Sequence, residues 1–173
     1  MSLLDQNFYN CLIKWRGDKP TSKIKAPIEN LQGENIGLIN LVGSIKRHVD
    51  LFDSKDTKIL SSSSSMMRNK FEITDSNGTL IGRSKEASGW RKAHLIIEDL
   101  NKKEILTVSN LSKLAVVHNV QTPNKNTIAI FDIGKMKDNY TCNFQVKEHD
   151  FDKKILWGSF LSILNSFYNG TNP

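Results

Sequence analysis

The chain has 173 residues, with 24 basic against 18 acidic side chains, a formal net charge of +6, and only two cysteines. That length suits a single hydrophobic core. Two cysteines cannot make a disulfide-dense scaffold, no Cys/His spacing offers a zinc site, and no run approaches the ~20 apolar residues that cross a bilayer.

In chain order, residues 1–30 read as a lead-in packed on or flanking the domain. Phe8, Tyr9, Leu12, Ile13 and Trp15 suit a short helix or an edge strand. The basic stretch Lys14, Arg16, Lys19, Lys23 and Lys25, broken by Pro20 and Pro27, predicts irregular chain. From Ile36 the apolar residues come in strand-length groups separated by glycines and charges. A unit of alternating apolar residues, an acidic turn and a return strand recurs as VDLFDSKDTKIL (49–60), FEITDSNGTLIG (71–82), HLIIEDLNKKEILTV (94–108) and, less closely, IAIFDIGKMKDNYTCNF (128–144). Asn77-Gly78 supplies the positive φ of a tight hairpin turn, while Thr and Ile suit a pleated surface. KLAVVHNV (113–120) is a further strand, and 121–126 a turn-rich loop. The serine run 61–65 reads as a flexible tip or an edge segment.

The period changes near the end. Ile155, Leu156, Trp157, Phe160, Leu161, Leu164 and Phe167 recur at spacings of three and four and wrap round more than one face. They predict a helix over about 153–168 that is buried on nearly all sides. Asp150 or Asp152 would cap it, and Asn169-Gly170 would end it before a tail, 170–173. Many strands with one very apolar terminal helix invite a barrel over 31–169 that curls round the helix and hides its own edges. Trp157 is then a core filler whose indole nitrogen needs a partner.

The segments FEITDSNGTLIGRSKE (71–86), HLIIEDLNKKEILTVSN (94–110) and NYTCNFQVKEHDFDKKILWGSFLSILNSFY (139–168) resemble the tubby C-terminal-like superfamily, most closely its phospholipid scramblase and LURP-one-related branch. The order Asp138, Glu148, Asp150, Asp152, Lys153 or Lys154, Gly158 and Phe167-Tyr168 is similar to the end of scramblase-like chains. The resemblance implies a mainly β fold: a closed twelve-stranded antiparallel β-barrel around a central C-terminal hydrophobic α-helix. It also implies calcium-responsive lipid movement, phosphoinositide binding or no defined biochemical role, according to branch. The chain departs from the family in having no Pro-rich amino-terminal arm and no multi-cysteine stretch.

The acidic calcium segment of that family would correspond to Glu148, Asp150 and Asp152, since Ca²⁺ takes six to eight oxygens. The spacing differs, and a solvated strand end with a helix cap is the competing reading. Asp53, Asp75, Asp99 and Asp132 recur after strands, as turn residues bonding the following backbone do. His48, His94, His118 and His149 share no ligand spacing, and neither a nucleophile elbow nor a phosphate loop is present. The basic residues come in pairs. If hairpin ends bring Arg68, Lys70, Arg83, Lys85, Arg91 and Lys92 together, their potential attracts anionic headgroups.

The expectation is therefore a non-enzymatic, cytoplasmic β-barrel binding module for anionic phospholipid or phosphoinositide headgroups, with no cofactor and no transmembrane insertion, a monomer rather than an oligomer. The opening MSLLDQNFYNCLIKWRG lacks the pattern of a secretory leader. Competing readings are a protein-interaction scaffold that docks an acidic partner, or a small-ligand protein or enzyme with an unrecognised site. Nucleic acid is disfavoured, because no alternating aromatic and basic motif accompanies Trp15, Trp90 and Tyr140.

Overall fold

A computed structural model describes residues 3–14, 23–43, 47–64, 69–88, 93–111, 116–136 and 139–169. After a short 3₁₀ turn, Leu3–Asp5, twelve strands follow in order: β1 (Phe8–Lys14), β2 (Lys23–Glu29), β3 (Asn35–Val42), β4 (His48–Asp53), β5 (Lys58–Ser64), β6 (Lys70–Asp75), β7 (Leu80–Ser88), β8 (Ala93–Glu98), β9 (Glu104–Val108), β10 (Val117–Gln121), β11 (Thr127–Met136) and β12 (Asn139–Val146). One helix, α1 (Lys153–Asn169), ends the described chain. Each strand pairs antiparallel with its sequence neighbours, and β1 pairs with β12, so the sheet closes into a barrel with no edge left open. Fold class, strand number and terminal helix are those expected.

The lead-in is corrected. Residues 8–14 and 23–29 are staves of the barrel, not a flanking segment. In β2 the charges that obscured the pattern all point outward: Ile24, Ala26 and Ile28 are buried, while Lys23, Lys25 and Pro27 are exposed. Pro27 sits opposite Leu38 of β3, and pairing with β1 stops at Cys11↔Ile28, one residue before the proline, which has no N–H to donate. The serine run is corrected too. Ser61 and Ser62 are buried in β5, beside the helix rather than at a flexible tip.

The recurring acidic turns share one construction. At Asn30, Asp53, Asp75, Asp99 and Thr122 the backbone N–H donates to the carbonyl four residues on, and the N–H three residues on returns to the first carbonyl. The fourth residue takes positive φ: Gly33, Asp56, Gly78, Lys102 and Lys125. This is a type I turn closed by a one-residue bulge, and the strand register slips at each of these turns. The expected reversal over Asp75-Ser76-Asn77-Gly78 is there, with Gly78 rather than Asn77 taking the positive φ. Each Asp supplies a further tie. Asp53 Oδ1 accepts from Lys55 N at 2.8 Å and Thr57 N at 2.9 Å, and Asp75 and Asp99 repeat the pattern. The backbone bond from Thr57 above all holds the Asp53 carboxyl below its ordinary range, helped by that from Lys55. Asp132 does not belong to this set, since it lies within β11 opposite Val117 and Asn143.

Because successive strands reverse direction, these turns fall at one end of the barrel. The β12–α1 connection leaves from the same end, and α1 runs back through the interior. Asp152 caps it, accepting from Lys154 N at 2.8 Å. Residues 155–165 are buried without interruption, as the multi-faced apolar pattern requires. Ile155, Leu156, Trp157, Phe160, Leu161 and Leu164 are core, and Phe167 is partly buried against it.

The two sides of α1 meet different walls. Trp157 and Phe160 pack into rings from β1, β11 and β12, with Trp157 4.9 Å from both Tyr9 and Phe144, and Phe160 5.1 Å from Phe131. The other side carries small residues and lies close to β4–β7. There Gly158 abuts Ile73 so closely that an added Cβ would lie 2.5 Å from Ile73 Cγ2. Ser162 donates to Gly158 O at 2.8 Å and therefore accepts from Ser62, 3.0 Å away. Asn165 Nδ2 donates to Ser62 O at 2.9 Å.

Candidate anion-binding groove

In β6, β7 and β8 the pleat sends alternate side chains to opposite faces. Phe71, Ile73, Gly82, Ser84, Leu95 and Ile97 are buried, so Lys70, Glu72, Arg83, Lys85 and Glu98 stand on the outer wall. Register then decides who meets whom: Lys70 lies opposite Lys85, and Arg83 lies between Glu72 on one side and Glu98 on the other. Lys102, at the positive-φ position of the β8–β9 turn, comes in from below. Together these residues line a groove of about 550 Å³ with Phe71 and Ser84, within the ~300–1,000 Å³ of ordinary ligand sites.

Four cations face two carboxylates in the groove. Lys85 Nζ is paired with Glu98 Oε1, whereas Lys70, Arg83 and Lys102 make no ion pair with a described residue. Like charges directly opposite on paired strands destabilise the sheet, so the Lys70–Lys85 juxtaposition costs stability that an anion placed between them would offset. The buried Ser84 hydroxyl has no hydrogen-bond partner among the described residues.

Of the basic residues singled out in the sequence, the fold therefore brings Lys70, Arg83 and Lys85 to one place. Arg68, Arg91 and Lys92 lie outside the described residues. Lys102 is an addition that the acidic-turn repeat could have supplied, since it is fixed by its distance from Asp99. Glu72 and Glu98 are the carboxylates that reading overlooked, although strand alternation alone places them on the same face.

The other candidates do not assemble. Glu148, Asp150 and Asp152 are all exposed, Asp152 is engaged as the helix cap, and among the described residues no three His, Cys, Asp or Glu side chains are grouped to hold a metal. His48 sits 3.3 Å from Asp50, which also binds Lys58 at 2.9 Å. His118 is buried in the barrel with Nδ1 2.9 Å from Ser109 O. Among the described residues, no helix is long and apolar enough to cross a membrane.

No protein-family model matches the chain, and no curated protein matches it at a significant level. The closed twelve-stranded barrel around a C-terminal helix is consistent with the broad tubby-like barrel fold.

Proposed function

We propose that this protein is a non-catalytic binding module that holds phosphate-bearing headgroups of anionic phospholipids in the β6–β8 groove. The observation that carries the reading is the placement of Lys70 opposite Lys85, flanked by Arg83 and Lys102, in one concavity. Two opposed lysines and a planar guanidinium can each take a different phosphate oxygen. Surface cations of this kind contribute roughly 1 kcal/mol apiece near an anionic leaflet. In this reading the protein meets the cytoplasmic face of a membrane peripherally and performs no chemistry on the lipid, in the manner of tubby-like rather than lipid-moving relatives.

Co-sedimentation with phosphatidylcholine vesicles, with and without phosphatidylinositol bisphosphate, tests this. Binding is expected only to the anionic vesicles and to weaken with salt. Arg83→Glu or Lys85→Glu should reduce it about tenfold, whereas Lys25→Glu on the exposed face of β2 should not. Glu98→Gln should strengthen binding by releasing Lys85. Unchanged binding in the Arg83 and Lys85 variants removes the groove as the site. No binding to any vesicle leaves the scaffold reading, in which an acidic protein segment occupies the same cations.

A further inference from the structure

The barrel closes where its first strand meets its last, and the two cysteines of the chain face each other across that seam. Cys11 of β1 is in register with Cys142 of β12. Directly opposed residues of an antiparallel pair have Cα atoms about 4.5 or 5.5 Å apart, according to whether they form a narrow or a wide pair. Both distances fall within the roughly 4.4–6.8 Å that a disulfide spans. Both side chains turn inward and are buried, and both thiols are free. They interact, for the hydrogen bond with Cys11, together with burial, pushes the Cys142 thiol well up.

We propose that Cys11 and Cys142 form a reversible disulfide across the barrel seam, made by thiol exchange with a small disulfide such as oxidised glutathione or by oxidation with hydrogen peroxide. Both S–H bonds break and one S–S bond forms. The two protons and two electrons reduce glutathione disulfide to two thiols, or peroxide to two waters. The register sets the two Cα atoms within the span of a disulfide while the strands stay paired. The bond would tie together segments separated by about three quarters of the chain, the situation in which a cross-link most restricts the unfolded state. Burial of both sulfurs keeps exchange slow in the closed barrel, so one thiol is first oxidised or joined to glutathione when β1 is away from β12, during folding or on opening of the seam, and the second closes the internal bond as the strands pair again. The seam lies across the barrel from β6–β8 and shares no residue with the groove.

The full chain is equilibrated in reduced and oxidised glutathione over a range of ratios, in buffer and in urea, starting from both the reduced and the oxidised protein so that agreement marks equilibrium. Intact mass and peptide mapping read the products. The expected result is a Cys11–Cys142 bond, two hydrogens lighter, half-formed in the folded chain at a ratio on the order of a hundredfold more reducing than in urea. A midpoint that is the same in both media, or glutathione adducts in place of the internal bond in the folded chain, overturns the proposal.

Discussion

Gly158 packs directly on Ile73 of β6, and only a hydrogen side chain allows it. An alanine there would bring Cβ to 2.5 Å from Ile73 Cγ2 and 2.9 Å from Ile73 Cδ1. Against this, alanine favours a helix over glycine by about 1 kcal/mol. Overpacking of a filled core costs roughly 1–3 kcal/mol, so Gly158→Ala is expected to lower stability on balance. In an Ile73→Ala background the clash is gone and the same substitution should stabilise; urea melts of the four chains measure the sign change. Tyr9 makes a second prediction at this scale. Its hydroxyl donates to Gln6 O at 2.6 Å, and burial pushes its pKa up to about 12. Trp157 Nε1 lies beside that hydroxyl but makes no well-aligned hydrogen bond, so the partner the sequence demanded is only half supplied. Between pH 10 and 12 the folded tyrosine keeps the proton that an unfolded one releases, so stability falls as pH rises through that window, by as much as about 2 kcal/mol. Urea midpoints of the wild type should therefore fall across this range relative to those of Tyr9→Phe, which has no proton to lose.

The hairpins at one end of the barrel repeat a single solution at the scale of the element. A type I turn needs one residue with positive φ to re-enter the return strand. Glycine takes that position at 33 and 78, whereas aspartate or lysine takes it at 56, 102 and 125. A side chain there costs about 1 kcal/mol or more in strain, and glycine removes the strain at a smaller entropic cost in the unfolded chain. Gly78→Ala is thus expected to destabilise by about 1 kcal/mol, and Lys125→Gly to be neutral or stabilising, by thermal or urea unfolding. Opposite signs from substitutions at equivalent turn positions would identify the backbone angle as the cause. These turns also explain why the acidic repeat was visible before the fold. An Asp whose carboxylate takes the N–H groups two and four residues on leaves a local signature, D-x-x-x-T or D-x-x-x-K, that needs nothing from the rest of the chain. Asp132 carries the same letter without the geometry, because its neighbours continue the strand.

At the scale of the whole molecule the helix is what the barrel closes around. Ile155, Leu156, Trp157, Phe160, Leu161, Ile163 and Leu164 occupy its interior, and the inward residues of every wall have little else to pack on. Truncation after residue 150 should abolish cooperative unfolding in near-ultraviolet circular dichroism. Trp157→Ala alone should cost about 3–5 kcal/mol, a large share of the ~5–15 kcal/mol available to a domain. A truncated chain that still melts cooperatively would show that the barrel stands without its helix. The seam has the opposite character, for β1 and β12 are the first and last strands, which makes theirs the least local strand pairing in the fold.

Composition and period were enough to read β-strands, acidic turns and one terminal helix too apolar on all sides to lie on a surface, because each of those is fixed within a few residues. They did not recover β2, whose alternation of Ile24, Ala26 and Ile28 hides behind outward lysines and a proline that lies just past the stretch paired with β1. Nor did they explain the serine run, whose small buried side chains acquire their use from a helix a hundred residues away. Part of the groove was legible as the pair Arg83 with Lys85, which alternation puts on one face, and as Lys70 of the pair with Arg68. That Lys70 lies opposite Lys85, and that Cys11 lies opposite Cys142, depends on strand register and on closure of the barrel. Those are properties of distant segments meeting, which only the tertiary structure decides.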